Sequence, residues 1–281
     1  MFKTIHTIDE TLDLTQSRHY NMSILFSKDG LSFCIVDNRT QKAIAYQTIP
    51  IDSHLNIRET CFFLSKTFKN CDWFNYSFKD IKVVFQWYKS TIIPQNLYVD
   101  LQRSQFLELN FGALNEEETL SNKLPFLDAQ NVFAVPKCVL DTFRTFLPTA
   151  QILHSNTPFL NGLFKAKHKS IVALQIGSNY FDMIVLESNK LQLSNSFFYK
   201  SNEDFLYFLV YTLEQLKLEP KNIVLQLNGH ISADSELFQL LRKYFLNLTF
   251  AEKPTALHYS YVFSKIESQY ISTHLNSFLC E

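Results

Sequence analysis

Three short polar stretches, each closing an apolar run, hold the residues whose types and spacing could do chemistry. They are Ser27-Lys28-Asp29-Gly30, Gln175-Ile176-Gly177-Ser178-Asn179 and Asn228-Gly229-His230. A glycine-containing turn can present consecutive backbone N–H groups to phosphate oxygens. A lysine such as Lys28 could reach the same phosphate, and a histidine such as His230 could act as a general base. Each stretch also has a plainer reading, in which the turn only joins two strands, Lys28 lies in water and His230 decorates the surface. Glycine is scarce, with five in the chain, so each one marks a place where the backbone needs it.

Other chemistries lack their residues. The eight histidines have no metal-ligand spacing with one another, and neither a P-loop nor a G-x-S-x-G elbow occurs. The five cysteines, Cys34, Cys61, Cys71, Cys138 and Cys280, are odd in number and unpaired in spacing. They read as free thiols of a reducing compartment, with no disulfide frame.

The elements that must position the turns follow from apolar periodicity. Apolar runs at 24–26, 31–36 and 43–51, separated by polar turns, predict an antiparallel three-strand meander; Asp29-Gly30 is a hairpin signal. Helical spacing over 55–68 and a buried strand at 81–86 complete the unit. The second half repeats the plan: strands at 174–176, 181–186 and 191–198, a helix at 203–216, and a strand at 222–227. Placing Leu174 over Ile24 gives an offset of 150 (174 − 24), which holds without a gap through Val36 over Leu186. The later strands pair Val83 with Ile223, an offset of 140 (223 − 83). One strand-strand-strand-helix-strand unit therefore occurs twice.

Between the copies, 95–111 reads as helical and the acidic stretch 115–123 as a solvated loop or helix start. A strand at 131–135 leads into a helix that Pro136 opens as its first residue. A strand at 150–154 precedes a helix capped by Thr157, and Lys165 to Lys169 forms a basic link. Residues 1–20 read as an irregular lead-in. Beyond His230 come a helix from Asp234 or Ser235, a strand at 248–250 and a last helix over 255–269, after which the end frays.

Composition bounds the function. A chain of 281 residues holds about two domains and can bury a sizeable core. The net charge of −1 gives no pull toward nucleic acid or an anionic membrane. The start lacks a signal-peptide hydrophobic run, and no stretch is long and apolar enough to insert in a membrane, so a cytoplasmic location is expected. The 27 Phe and 13 Tyr fill a core or furnish an aromatic surface for a partner.

The doubled unit resembles the actin-like ATPase fold, an α/β fold of two ribonuclease-H-like halves around a cleft. The resemblance is closest to the small actin-like proteins of bacterial pilus assembly and cell division, and to an uncharacterised, mostly Bacteroidetes family of this fold. It covers residues 20–260. Asn131-Val132-Phe133-Ala134-Val135-Pro136-Lys137, a helix, then Thr149-Ala150-Gln151-Ile152-Leu153-His154 is similar to the segment closing the first half of the pilus-assembly proteins; Ile92-Ile93-Pro94 fits the same pattern. The resemblance implies a first half at 1–165 and a second at 166–281 with a C-terminal helix.

In such ATPases, two Asp-hydrophobic-Gly turns cradle the phosphates and organise Mg²⁺. Matched residue by residue, the first Asp falls on Leu25 and its Gly on Ser27, and the position that often carries a Lys falls on Ser32. The second Asp falls on Gln175; Gly177 is kept, but the small positions become Ser178, Asn179, Tyr180 and Phe181. Asp182 matches a retained Asp and is expected to face solvent or cap the turn. The adenosine turn keeps one glycine, as Asn228-Gly229-His230. Losing one well-placed electrostatic group costs about 10²–10³ in rate, and here both carboxylates are absent. The expectation is a non-catalytic actin-like scaffold that binds a protein and needs no cofactor; ATP with Mg²⁺ in the cleft is the alternative. The candidate turn residues are Ser27, Lys28, Asp29, Gly30, Gln175, Gly177, Ser178, Asn179, Asn228, Gly229 and His230.

Overall fold

A computed structural model describes residues 4–52, 54–166 and 170–280. In chain order its elements begin β1 (His6–Ile8), β2 (Tyr20–Ser27), β3 (Gly30–Asp37), β4 (Lys42–Pro50), α1 (Ile57–Asn70) and β5 (Asp80–Phe85). There follow β6 (Ser90–Pro94), α2 (Arg103–Phe111), β7 (Glu117–Leu124), β8 (Ala129–Pro136), α3 (Lys137–Phe146), β9 (Gln151–His154) and α4 (Asn156–Lys165). The rest is β10 (Ile171–Ile176), β11 (Tyr180–Glu187), β12 (Lys190–Phe198), α5 (Asn202–Gln215), β13 (Val224–Gly229), α6 (Glu236–Leu241), β14 (Asn247–Phe250), β15 (His258–Tyr259) and α7 (Ser268–Ser277). Two units form. The larger takes residues 4–159, 254–266 and 273–280, and the smaller takes 160–253 and 267–272.

The larger unit's main sheet runs β1-β4-β3-β2-β5-β9, with β15 also on β4. Strands β2, β5 and β9 are parallel neighbours, and β2-β3-β4 is an antiparallel meander. Strands β2 and β3 are buried along nearly their whole length, which explains why they read as continuous apolar runs and do not alternate. Helix α1 starts at a capping box, where Asn56 accepts from the Glu59 backbone N–H and the Glu59 carboxylate accepts from Asn56. Cys61, Leu64 and Phe68 of α1 join Val139, Leu140 and Phe143 of α3 in the core over one face of the sheet. Phenylalanine fills that core. Phe143 meets Phe26, Phe68 and Phe85 at centroid distances of 5.9, 5.2 and 5.4 Å, all near edge-to-face. Each such pair contributes about 0.5–1.5 kcal/mol beyond the area it buries. A second, three-stranded sheet, β6-β8-β7, carries α2, whose Leu107 packs on Val132 and Ala134.

The smaller unit repeats the main sheet as β12-β11-β10-β13-β14. Strand β10 is antiparallel to β11 and parallel to β13, as β2 is to β3 and β5. Ile24 pairs with Phe33, and Leu174 pairs with Met183, so the offset of 150 holds in space. The offset of 140 does not. Ile24 lies beside Val83 and Leu174 beside Leu227, so the later strands match at 144 (227 − 83). Pairing with β10 also carries β13 through Asn228 and Gly229, which end a strand where the sequence reads a turn.

Several local expectations change. The lead-in holds strand β1, and the stretch 95–111 is helical in α2 only from Arg103. The acidic stretch is strand β7, because pairing with β8 supplies hydrogen bonds its own apolar pattern does not announce. Pro136 ends β8 and is the N-cap of α3, with Lys137 the first helical residue. The Thr157 hydroxyl donates to Asn122 and lies inside α4, which starts at Asn156. In place of one helix over 255–269 the chain forms β15, a short 3₁₀ turn at Tyr261–Lys265 and then α7. The end does not fray, since His274 and Ser277 are fully buried. Cys61 and Cys138 are disulfide-bonded, joining α1 to α3, while Cys34, Cys71 and Cys280 are free. Of the basic link, Lys167, His168 and Lys169 lie outside the described residues. Among the described residues, no helix is long and apolar enough to cross a membrane.

Candidate functional site

In the larger unit, Ser27 and Gly30 are paired strand ends, leaving Lys28 and Asp29 as the two-residue loop. The loop is tied into the sheet: the Asp29 N–H donates to Ser27 Oγ at 3.2 Å, and its carbonyl accepts from the Ile51 N–H at 3.0 Å. Lys28 is exposed, yet its Nζ lies 5.6 Å from the Trp87 ring centroid, a cation–π contact. Leu25, at the position matched to a phosphate-turn Asp, is buried with Val84 and Leu153. A carboxylate there would lose its hydration to an apolar neighbourhood.

Beside Lys28 opens a pocket of about 700 Å³ that the sequence did not point to. Phe26 and Trp87 line it, the first turns of α1 and α3 bring Arg58 and Lys137 to it, and the acidic Asp52, Glu116, Glu117 and Asp141 line it as well. The α3 start has no side-chain cap. Trp87 is buried and its indole N–H has no acceptor. The carbonyl of Trp87 accepts from His154 Nε2 at 2.6 Å, while His154 Nδ1 accepts from the Asn156 N–H at 3.1 Å. That pattern holds His154 as the neutral Nε2–H tautomer, and burial lowers its pKa to about 4.

In the smaller unit, the remaining candidates gather at one end of the sheet. Gln175 lies opposite Asp182 on β11 and beside Asn228 on β13, and Ile176 lies beside Gly229. The His230 N–H donates to the Ile176 carbonyl at 2.8 Å, and the His230 ring packs on Tyr270 at 6.3 Å. Ser178 and Asn179 are exposed at the tip. Gly177 is closed on its own turn. Its N–H donates to the Tyr180 carbonyl at 2.9 Å, and its carbonyl accepts from the Tyr199 hydroxyl at 2.6 Å.

Below the turn is a buried polar layer. Gln175, Asp182 and Asn228 are each about 2 % exposed or less. Ser196 donates to Asp182 Oδ1 and Ser272 to Asn228 Oδ1, both at 2.5 Å. Asp182 Oδ2 has no hydrogen-bond partner. Asp182 is thus neither solvent-facing nor a turn cap. The meander alternation turns it inward beside Gln175, on the face opposite the apolar core. Burial pushes its pKa up to about 7, against the lowering effect of the Ser196 bond. Among the described residues, no three His, Cys, Asp or Glu side chains converge as a metal site.

The family described as Protein of unknown function (DUF3822) matches residues 9–248. A solved Bacteroides thetaiotaomicron protein with actin-like ATPase fold and unknown function is 22 % identical, with a TM-score of 0.79 over 96 % of this chain and 100 % of that one. A chain of the PilM–PilN type IV pilus biogenesis complex matches at 11 % identity and a TM-score of 0.56, covering 92 % of this chain and 97 % of that one. The ethanolamine utilization protein EutJ from Carboxydothermus hydrogenoformans matches at 8 % identity and a TM-score of 0.50, covering 93 % of this chain and 90 % of that one. No curated protein matches in sequence. At these identities the likeness establishes the fold, which is that of the actin-like ATPases.

Proposed function

We propose that this chain, which belongs to the DUF3822 family of proteins of unknown function, is a non-catalytic actin-like protein that acts by binding another protein. The observation that carries this reading is the state of Gly177. A phosphate cradle needs its backbone N–H groups free to donate, and here the Gly177 N–H is engaged by Tyr180. Two further features support it. Leu25 and Gln175 stand where phosphate-turn carboxylates are expected, the first in an apolar cluster and the second beside the buried Asp182. The PilM–PilN complex, of the same fold, is named as an assembly of two proteins.

Thermal unfolding with ATP, ADP and GTP, each with Mg²⁺, tests the reading. A ligand at 100 times its Kd would stabilise the fold by about 2.7 kcal/mol, or roughly 5–11 °C for a chain of this size. The expected result is no shift with any nucleotide. A shift of that size would replace this reading with its alternative, an actin-like ATPase that binds Mg-ATP.

A further inference from the structure

The disulfide of the larger unit joins one buried cysteine to one exposed cysteine. Cys61 of α1 is 8 % exposed and belongs to the core, whereas Cys138 is exposed in the first turn of α3 and lines the pocket beside Lys28. Exposed disulfides are the labile ones, and access decides which sulfur a thiolate attacks. Here the access is to Cys138. No side chain caps the start of α3, whose N-cap is Pro136. The partial positive charge of the helix N-terminus therefore acts on whatever lies over that turn, and it favours the thiolate form of a cysteine placed there.

The pocket around Cys138 carries both signs of charge. Arg58 and Lys137 bring positive charge to it, and Asp52 and Glu116 bring negative charge. Its other two acids have cations of their own: Glu117 pairs with Lys89 at 2.5 Å, and Asp141 lies 4.0 Å from Arg144. At about 700 Å³ it has the size of a small-molecule site. Trp87 is an independent sign of a ligand. It lines the same pocket, is only 8 % exposed, and its indole N–H has no acceptor. Buried donors are rarely left unpaired, and a carboxylate received by the pocket supplies the missing acceptor.

We infer that Cys138 is a site of reversible S-thiolation by a small zwitterionic thiol, one with carboxylates and an ammonium group as in glutathione. The carboxylates match Arg58, Lys137 and the Trp87 N–H, and the ammonium matches Asp52 and Glu116. In the exchange the thiol gives up its proton and its sulfur bonds to Cys138 Sγ. The Cys61–Cys138 bond breaks, and Cys61 takes up a proton as a buried thiol. A second molecule of the same thiol then attacks the mixed disulfide, leaving the small molecule's own disulfide and Cys138 as a thiol. Both helices line the pocket, so the exchange unties two of its walls. The sheet stays covered, because Leu64 and Phe68 of α1 still share the core with Val139, Leu140 and Phe143 of α3.

Native full-length protein, incubated with reduced glutathione in the absence of oxygen, quenched in acid at early times and mapped by mass spectrometry, tests the inference. Without an oxidant a free thiol takes up no glutathione, so Cys34, Cys71 and Cys280 are silent and the disulfide alone reports. One glutathione per chain is expected, on Cys138, with Cys61 released. At equal thiolate concentration the exchange should run at least about tenfold faster than with uncharged 2-mercaptoethanol. Arg58→Gln should remove about threefold of that advantage. Cys61→Ser leaves Cys138 with no partner to displace the adduct, and oxidised glutathione should load it ahead of Cys71 and Cys280. Glutathione found first on Cys61 overturns the inference. So do equal rates with the two thiols, or five free thiols in denatured protein that has met no reductant.

Discussion

A Cβ built on Gly229 would stand 2.3 Å from the carbonyl oxygen of Ile176. The two residues are neighbours in the parallel β10–β13 pair, and Gly229 has φ +85°, a conformation L side chains rarely adopt. The strand ends therefore approach as closely as they do because one of them has no side chain. Gly229→Ala meets both backbone strain and a clash with backbone atoms, so it should cost at least about 2 kcal/mol. Gly112 provides the control. Its φ is +74°, yet a Cβ there meets nothing within 4 Å, so Gly112→Ala should cost about 1 kcal/mol. Urea unfolding of both variants measures the difference.

Asp182 should make the smaller unit less stable as pH rises. Its pKa of about 7 in the fold lies above the unfolded 3.8, so between these values the folded state binds the extra proton. The stabilisation is full below pH 3.8 and is lost as pH rises through 7. Asp182→Asn keeps an acceptor for Ser196 and should flatten this dependence, gaining up to about 4 kcal/mol at pH 8. Hydrogen exchange at the β10, β11 and β13 amides, followed from pH 5 to about 8, would detect the effect where Asp182 acts.

The larger unit should respond to pH in the opposite sense. His154 and His274 are fully buried, with pKa values lowered by burial from 6.5 to about 4 and about 3. His274 lies between Ser32 at 2.7 Å and Ser23 at 3.0 Å. Unfolding lets both rings take up protons, so stability is full above pH 6.5 and declines as pH falls toward 4. Denaturant midpoints at pH 7 and 5 should show this loss. His154→Gln should lower the slope of that decline even though it lowers stability at pH 7.

Thiol titration in denaturant distinguishes the two accounts of cysteine. Cys61–Cys138 leaves Cys34, Cys71 and Cys280 to react. Three thiols per chain are expected without reductant, and all five after reduction. Native protein should react more slowly at Cys34, which is fully buried and has its pKa raised by that burial.

Residues close in sequence carried most of what could be read in advance. The three-strand meanders were legible because buried strands are continuous apolar runs bounded by turn residues, and the match of Leu174 to Ile24 persisted because both hairpins have the same length. Strand β7 was not legible. Its Glu117, Glu118 and Lys123 have no apolar alternation, and only pairing with β8 makes them a strand. The start of α7 is not legible either, because β15 forms only by pairing with β4. The candidate residues of the smaller unit are legible in the sequence, but their condition is not. Which way Gly177 would turn its N–H depends on Tyr180 and Tyr199, and the burial of Asp182 depends on the layers that cover it.

Sequence by itself determined the duplicated plan and the placement of the Lys28-Asp29 and Ser178-Asn179 turns, since each follows from residue type and local period. Tertiary structure alone decided which polar groups are satisfied. It joined Cys61 to Cys138 across 77 residues of sequence, raised the pKa of Asp182 through burial, and set Lys28 over Trp87. The physical reason is range. Turn and strand propensities act over a few residues, whereas desolvation and hydrogen-bond satisfaction depend on segments that meet only when the sheets have formed.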